Sequence, residues 1–281
     1  MEQQTNKNGV IVAIISMMFL FAMISFVTNL AAPFGNIWGK TYSWAGMVGN
    51  LMNFLAYLFM GIPAGKMLVK YGYKKTALIA IAIGFIGLFV QYLSSTFGGS
   101  SEMFSVQGQP VMLNFIVYLL GAFICGFCVC MLNTVVNPML NLLGGGGNRG
   151  NQLIQTGGTL NSLAATLTPF FVGVLIGQVT DKTSMTDVTP LLWVAMGVFA
   201  VTFLIISFVA IPEPQSTAPG VKSEYSPWNF RHFILGVIAI FFYVGIEVGI
   251  PAELNFYITK LDFPGAAAVA GGIVAIYWLL M

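Results

Sequence analysis

The chain has 281 residues, 57% hydrophobic and only 7% charged, with a net charge of +2 and a mean hydropathy of +0.86. Soluble domains carry about 25% charged residues, so most of this surface cannot face water, and a lipid bilayer is the solvent that fits. The small net charge, with no basic patch interleaved with exposed aromatics, excludes a nucleic-acid binder.

A spanning helix needs about 20 mostly apolar residues. Eight stretches are predicted to span, roughly Val10–Pro33, Ser43–Leu68, Thr76–Leu93, Val111–Leu143, Asn151–Gln178, Pro190–Ile211, Phe233–Tyr257 and Phe263–Met281. The first reads as a retained helix, because the apolar core of a cleaved leader runs only about 7–15 residues. Basic residues gather in alternate loops: Lys7 before the first span, Lys66, Lys70, Lys74 and Lys75 after the second, Arg149 after the fourth, and Lys222 and Arg231 after the sixth. The other parity holds Lys40, then none near Glu102, then Lys182 beside Asp181 and Asp187. The positive-inside rule therefore places the N-terminus in the cytoplasm.

The segment Ile211–Phe230, IPEPQSTAPGVKSEYSPWNF, is rich in Pro, Ser and charge and reads as a linker. The expected organisation is an N-terminal six-helix bundle over 1–211, a cytoplasmic linker over 212–231, and the start of a second bundle over 232–281. A carrier built from two six-helix halves has this layout. A weak internal echo aligns Pro33 with Pro251 and Asn29 with Glu247. If the second half mirrors the first, about four spans lie beyond Met281, and the chain reads as a twelve-helix carrier truncated in its eighth helix.

Within this apolar chain, the run from Asn133 to Leu163 is rich in amides. Asn133, Asn137 and Asn141 fall four apart and share one helix face. After the turn Gly144–Gly147, a second stripe holds Gln152, Gln155, Thr159, Ser162 and Thr166, while Asn161 lies about 120° from Gln155 and faces a neighbour. Polar groups in a bilayer need partners or a water-filled cavity, so paired stripes point to a lined pathway. Amides suit a sugar because each offers a donor and an acceptor on one rigid group, matching a hydroxyl. Asn29 and Asn53 are further candidates, the latter sharing a face with Asn50 and Tyr57, and Tyr57, Phe242 or Tyr243 can stack on a sugar's apolar face. The alternative is interhelical glue, worth about 0.6–2 kcal/mol per bond.

Glu247 is the one ionisable residue near the middle of a span, with Tyr243 one turn before it. Low dielectric favours the neutral acid, and intramembrane acids are functional candidates by default. The alternative is a protonated acid bonded to a neighbouring amide with a structural role only. Glu253 lies on another face, and Lys260 and Asp262 read as interfacial.

Other features read as packing. The glycine run lacks the Lys-Ser or Lys-Thr of a phosphate loop. Cys125, Cys128 and Cys130 lie in an apolar span with no second ligand set, and read as small packing residues. Gly61/Gly65 and Gly173/Gly177 are GxxxG pairs expected to allow close helix approach, and Pro138 and Pro169 permit bending. No cofactor or metal is expected.

Three segments carry a family resemblance: GKMLVKYGYKK (Gly65–Lys75), TVVNPMLNLLG (Thr134–Gly144) with the polar fifth span, and FFYVGIEVG (Phe241–Gly249). Together they resemble the major facilitator superfamily, specifically its fucose/glucose–galactose permease family of sugar:proton symporters. The resemblance implies an all-α integral membrane protein of the cytoplasmic (inner) membrane, here six helices of one half and the first two of the other, working as a monomer. Gly65, Lys70, Gly72 and Lys74 match the family's cytoplasmic gate motif, but its Asp is replaced by Val69. The acidic positions of the family's first and fourth helices match Ala32 and Asn133, so Glu247 is the remaining proton-coupling candidate. The candidate substrate-binding set, read from the residue chemistry above, is Asn29, Asn53, Asn133, Asn137, Gln152, Gln155, Tyr243 and Glu247.

The leading function is a secondary transporter importing a hexose or fucose-like sugar by proton symport through alternating access. The alternatives are a carrier for another polar solute and a truncated bundle that does not transport. An intramembrane enzyme would need paired acids, a Ser/His dyad or a metal cluster at matching depth, and the sequence offers none.

Overall fold

The computed structural model describes residues 7–42, 44–99, 101–176, 184–211, 226–261 and 263–280. Asp181, Lys182, Lys222, Asp262, Gly177 and the linker from 212 to 225 lie outside the described residues, as do the side chains of Lys7, Ala32, Pro169 and Gly173. The chain divides into two compact units, Met1–Pro214 and Gln215–Met281.

Among the described residues each of the eight stretches is mainly helical, and together they form seven continuous elements: α1 (Lys7–Thr41), α2 (Val48–Thr96), α3 (Leu113–Leu143), α4 (Gly147–Ile176), α5 (Thr189–Phe208), α6 (Arg231–Lys260) and α7 (Ala266–Leu280). Five of them are long and apolar enough to cross a membrane, among the described residues: α1, α2, α3, α5 and the first 21 residues of α6. This is an integral membrane protein with an all-α fold, apart from one short hairpin.

The second and third predicted spans are the two arms of α2. A straight helix of 49 residues would run about 74 Å, more than twice the hydrocarbon thickness. It breaks at Gly72 (φ 82°, ψ 176°), a backbone region open essentially to glycine alone. The basic loop expected between these spans is therefore a single-residue break, followed at once by helix. The Thr76 hydroxyl donates to the Gly72 carbonyl at 2.7 Å, one turn back across the start of the second arm. Helix α1 also exceeds expectation, running through Pro33 to Thr41.

Between α2 and α3, where only a loop is expected, lies an antiparallel hairpin, β1 (Glu102–Val106) and β2 (Gln109–Met112), pairing Phe104 with Val111 and Val106 with Gln109. Its turn, Gln107–Gly108, has positive φ at both positions (52° and 78°), which matches the right-handed twist of the strands. The Met112 amide donates to the Tyr42 hydroxyl at 3.0 Å and ties the hairpin base to the end of α1. Tyr42 belongs to an aromatic cluster with Phe34, Trp38, Trp44, Phe115 and Tyr118, whose centroids lie 4.9–6.3 Å apart.

Close packing of α2 on α3 holds the first unit together, and glycines on both helices make it possible. A Cβ at Gly87 would lie 2.7 Å from Cys125 Sγ and 2.8 Å from its backbone nitrogen, and one at Gly121 would lie 2.8 Å from the Gln91 nitrogen. At Gly84 it would strike Phe199, and at Gly126 the Asn53 carbonyl. Dispersion at such short range is what bonds helices where lipid removes the hydrophobic driving force. The expected GxxxG contact at Gly61/Gly65 is not formed: a Cβ at either meets no atom within 4 Å among the described residues. Cys125, Cys128 and Cys130 are free and buried in this packing.

Candidate functional site

Polar side chains on α3 begin the site. Asn133 Nδ2 donates to Tyr57 Oη at 2.9 Å, joining α3 to the first arm of α2. Asn137 Nδ2 donates to the Asn133 carbonyl at 3.1 Å, one turn back on the same face. Both asparagines are half-buried, and no protein donor among the described residues bonds either amide oxygen. Two acceptors thus stand one helical turn apart beside a tyrosine ring, which itself stacks on Phe54 at 5.9 Å. That geometry can accept two hydroxyl protons while an aromatic face covers carbon.

The third member of the stripe, Asn141, belongs instead to the turn into α4. Its backbone carbonyl accepts from the Gly146 amide at 2.9 Å, and its side chain packs on Gly150. Gly145, Gly146 and Gly147 all have positive φ (76°, 74° and 58°), a run that side chains would resist.

On α4, Gln152 and Gln155 are exposed. The hydroxyls of Thr156 and Thr159 donate back to the Gln152 and Gln155 carbonyls at 2.9 and 3.0 Å, and Thr166 does the same to Ser162 at 3.0 Å. These threonine protons are occupied within the helix, leaving the glutamine amides as the available polar groups. Asn161 turns away as expected: its Nδ2 donates to the Phe21 carbonyl of α1 at 3.0 Å. Gly157 packs on the same Phe21 ring, so this face of α4 is an interface with α1.

Asn29 bonds within its own helix, donating to the Ser25 carbonyl at 2.8 Å and to its hydroxyl at 3.2 Å. Asn53 is buried in the interior of the first unit, on a small cavity with Gln91 and Tyr118 that includes neither Asn133 nor Tyr57. Gln91 and Tyr118 went unread in the sequence. The one signal was a lone glutamine in the apolar run Thr76–Leu93.

In the second unit, the Tyr243 phenol faces the Glu247 carboxyl one turn along α6. Tyr277 of α7 donates to the Glu247 backbone carbonyl at 3.4 Å, pairing the two helices at this level.

The gate motif has a mixed local structure. Gly72 makes the break in α2. Lys74 Nζ donates to the Ser207 carbonyl at 2.8 Å, capping the end of α5. Lys70 Nζ lies 5.1 Å from the centroid of the Tyr71 ring, and Val69 is exposed. Among the described residues, no atom would lie within 4 Å of a Cβ at Gly65.

No family model matches the chain. Across 98% of its length it is 26% identical to the glucose/galactose transporter of Brucella abortus biovar 1 (strain 9-941), covering 65% of that protein, and it matches that of strain 2308 equally. A Helicobacter pylori protein (strain ATCC 700392 / 26695), provisionally named a glucose/galactose transporter, is 26% identical over 92% of this chain and 62% of its own length. The chain thus spans about two thirds, or slightly less, of the curated relatives it matches. The match to these transporters runs along nearly the whole chain.

Proposed function

We propose that the chain acts in the import of a monosaccharide, a hexose or fucose-like sugar, as a secondary transporter working by alternating access. The observation that carries this reading is the Asn133/Asn137 pair, half-buried beside Tyr57 on a largely apolar helix, in a chain similar over 98% of its length to glucose/galactose transporters. Asn133 and Asn137 accept from the sugar's hydroxyls, Tyr57 covers its apolar face, and Gln152 and Gln155 supply further amide contacts. Asn29 is a reserve contact once its bond to Ser25 is released.

Coupling is to protons, with Glu247 as the carrier and Tyr243 as the group it bonds. The support is chemical: Glu247 is the intramembrane acid of the chain, and none of the amides can carry charge. The N-terminus lies in the cytoplasm, residues 1–211 form one bundle, and 212–231 form the linker to the next, in a monomer of the inner membrane. The basic side then carries Gly65, Lys70, Gly72 and Lys74, where Lys74 anchors α5 and Gly72 lets the arms of α2 reverse.

Uptake of labelled glucose, galactose and fucose by cells lacking their own hexose carriers, with and without an imposed pH gradient, tests the reading. Saturable, gradient-dependent uptake is expected. Uptake no greater than in cells without the chain refutes transport, and saturable uptake indifferent to the gradient refutes proton coupling.

A further inference from the structure

A second polar feature lies inside the first unit. Asn53 on the first arm of α2, Gln91 on the second arm and Tyr118 on α3 line one small cavity, with Leu30 and Phe34 of α1 on its apolar side. All three are more than nine-tenths buried, at 7%, 5% and 1% exposure. Among the described residues, Asn53 Oδ1, Gln91 Oε1 and Tyr118 Oη each lack a hydrogen-bond partner. Buried polar atoms with no partner are uncommon, and three on one cavity indicate a shared ligand.

Each residue stands five positions from the hairpin-side end of its helix segment: Val48 for Asn53, Thr96 for Gln91, Leu113 for Tyr118. At 1.5 Å per residue, each lies about 8 Å along its segment from that end. Two are held in place. Gln91 Nε2 donates to Cys125 Sγ at 3.5 Å, which turns its Oε1 the other way. The Tyr118 hydroxyl sits where a Cβ on Gly49 would strike it, so only glycine there admits the phenol.

The space open to a water molecule's centre is about 10 Å³, close to what one water requires. A sugar is excluded by size, since small-molecule pockets run to about 300 Å³ or more. A bare cation is disfavoured by chemistry: two amide oxygens and a phenol leave its charge uncompensated, and no carboxylate lines the cavity.

We infer that this cavity is a binding site for a single internal water. The water donates its two protons to Asn53 Oδ1 and Gln91 Oε1 and accepts the Tyr118 phenol proton, giving the three bonds usual for a buried water. It pins both arms of α2 to α3 at the hairpin end. The site stands independently of the transport reading.

The test has three arms, all on the full chain. In a density map of the unaltered protein fine enough to show solvent, one peak is expected within hydrogen-bond distance of all three atoms. In detergent, Asn53→Leu and Tyr118→Phe each lower the midpoint of thermal unfolding, and the double variant falls by clearly less than the sum, because both act through one ligand. Replacing choline chloride with sodium chloride leaves the midpoint unchanged. An empty cavity, strictly additive losses, or a sodium-specific rise abolished by Asn53→Leu each overturns the assignment.

Discussion

Replacing Gly87 with alanine is expected to loosen α2 from α3. The new methyl carbon would lie 2.7 Å from Cys125 Sγ, 2.8 Å from the Cys125 nitrogen and 3.1 Å from the Gly121 carbonyl oxygen. Ordinary contact for such pairs begins near 3.5 Å, so the helices must part by roughly 0.7 Å, and two of the three obstacles are backbone that no rotamer change can move. Overpacking of this kind costs about 1–3 kcal/mol, outweighing the gain in helix propensity of about 1 kcal/mol that alanine brings. Gly61→Ala is the control, since it gains the propensity with no atom within 4 Å of the new carbon. Heating the detergent-solubilised chain and following the monodisperse fraction by size exclusion reads both. Gly87→Ala should melt below the unaltered protein and Gly61→Ala at or above it. Adding Cys125→Ala to Gly87→Ala should restore only part of the loss, because the Cys125 nitrogen stays in the way. Equal tolerance of alanine at positions 87 and 61 would refute the packing reasoning.

Further outcomes are expected elsewhere. Asn137→Ala should raise the KM for sugar uptake about tenfold or more, as a site built for hydroxyls loses one acceptor; an unchanged KM assigns that amide to packing. Tyr57→Phe removes the acceptor of the Asn133 bond and should cost about 0.6–2 kcal/mol of stability, read as a lower melting midpoint. Glu247→Gln should abolish pH-driven accumulation while leaving sugar exchange, and gradient-driven uptake that persists would remove Glu247 as the carrier. Gly72→Ala should lower stability by about 1–3 kcal/mol, because its backbone (φ 82°, ψ 176°) is one a side chain resists; a neutral result on thermal unfolding contradicts this.

Helix content and approximate limits were legible from hydropathy, and α3 begins and ends within two residues of its predicted Val111–Leu143. The expected basic loop is replaced by a break at one residue, because a chain reversal needs no loop when a glycine supplies a positive-φ backbone. The hairpin was missed because short strands in a connection leave no apolar periodicity to read. In the site, Asn161 was correctly turned to a neighbour by angular spacing alone, since it shares a helix with Gln155. Asn53 was grouped with Tyr57 on the same logic, yet its partners Gln91 and Tyr118 come from other helix segments. Spacing along one helix says which residues share a face and nothing about which helix lies opposite.

That limit separates the two sources of information. Sequence by itself determined that this is a chain of bilayer helices, because hydrophobic length and charge are properties of a segment taken alone. It determined the amide stripe on α3 in the same way, through a fixed turn of 100° per residue. Only tertiary structure decided that Gly87 and Gly126 are contact points while Gly61 and Gly65 are open, since the same small side chain matters only where another backbone comes near. It also decided that Asn133 holds Tyr57 while Asn53 lines a small cavity with Gln91 and Tyr118. Hydrogen bonds and close contacts act over a few ångströms, and the neighbours within that range are set by how the helices pack.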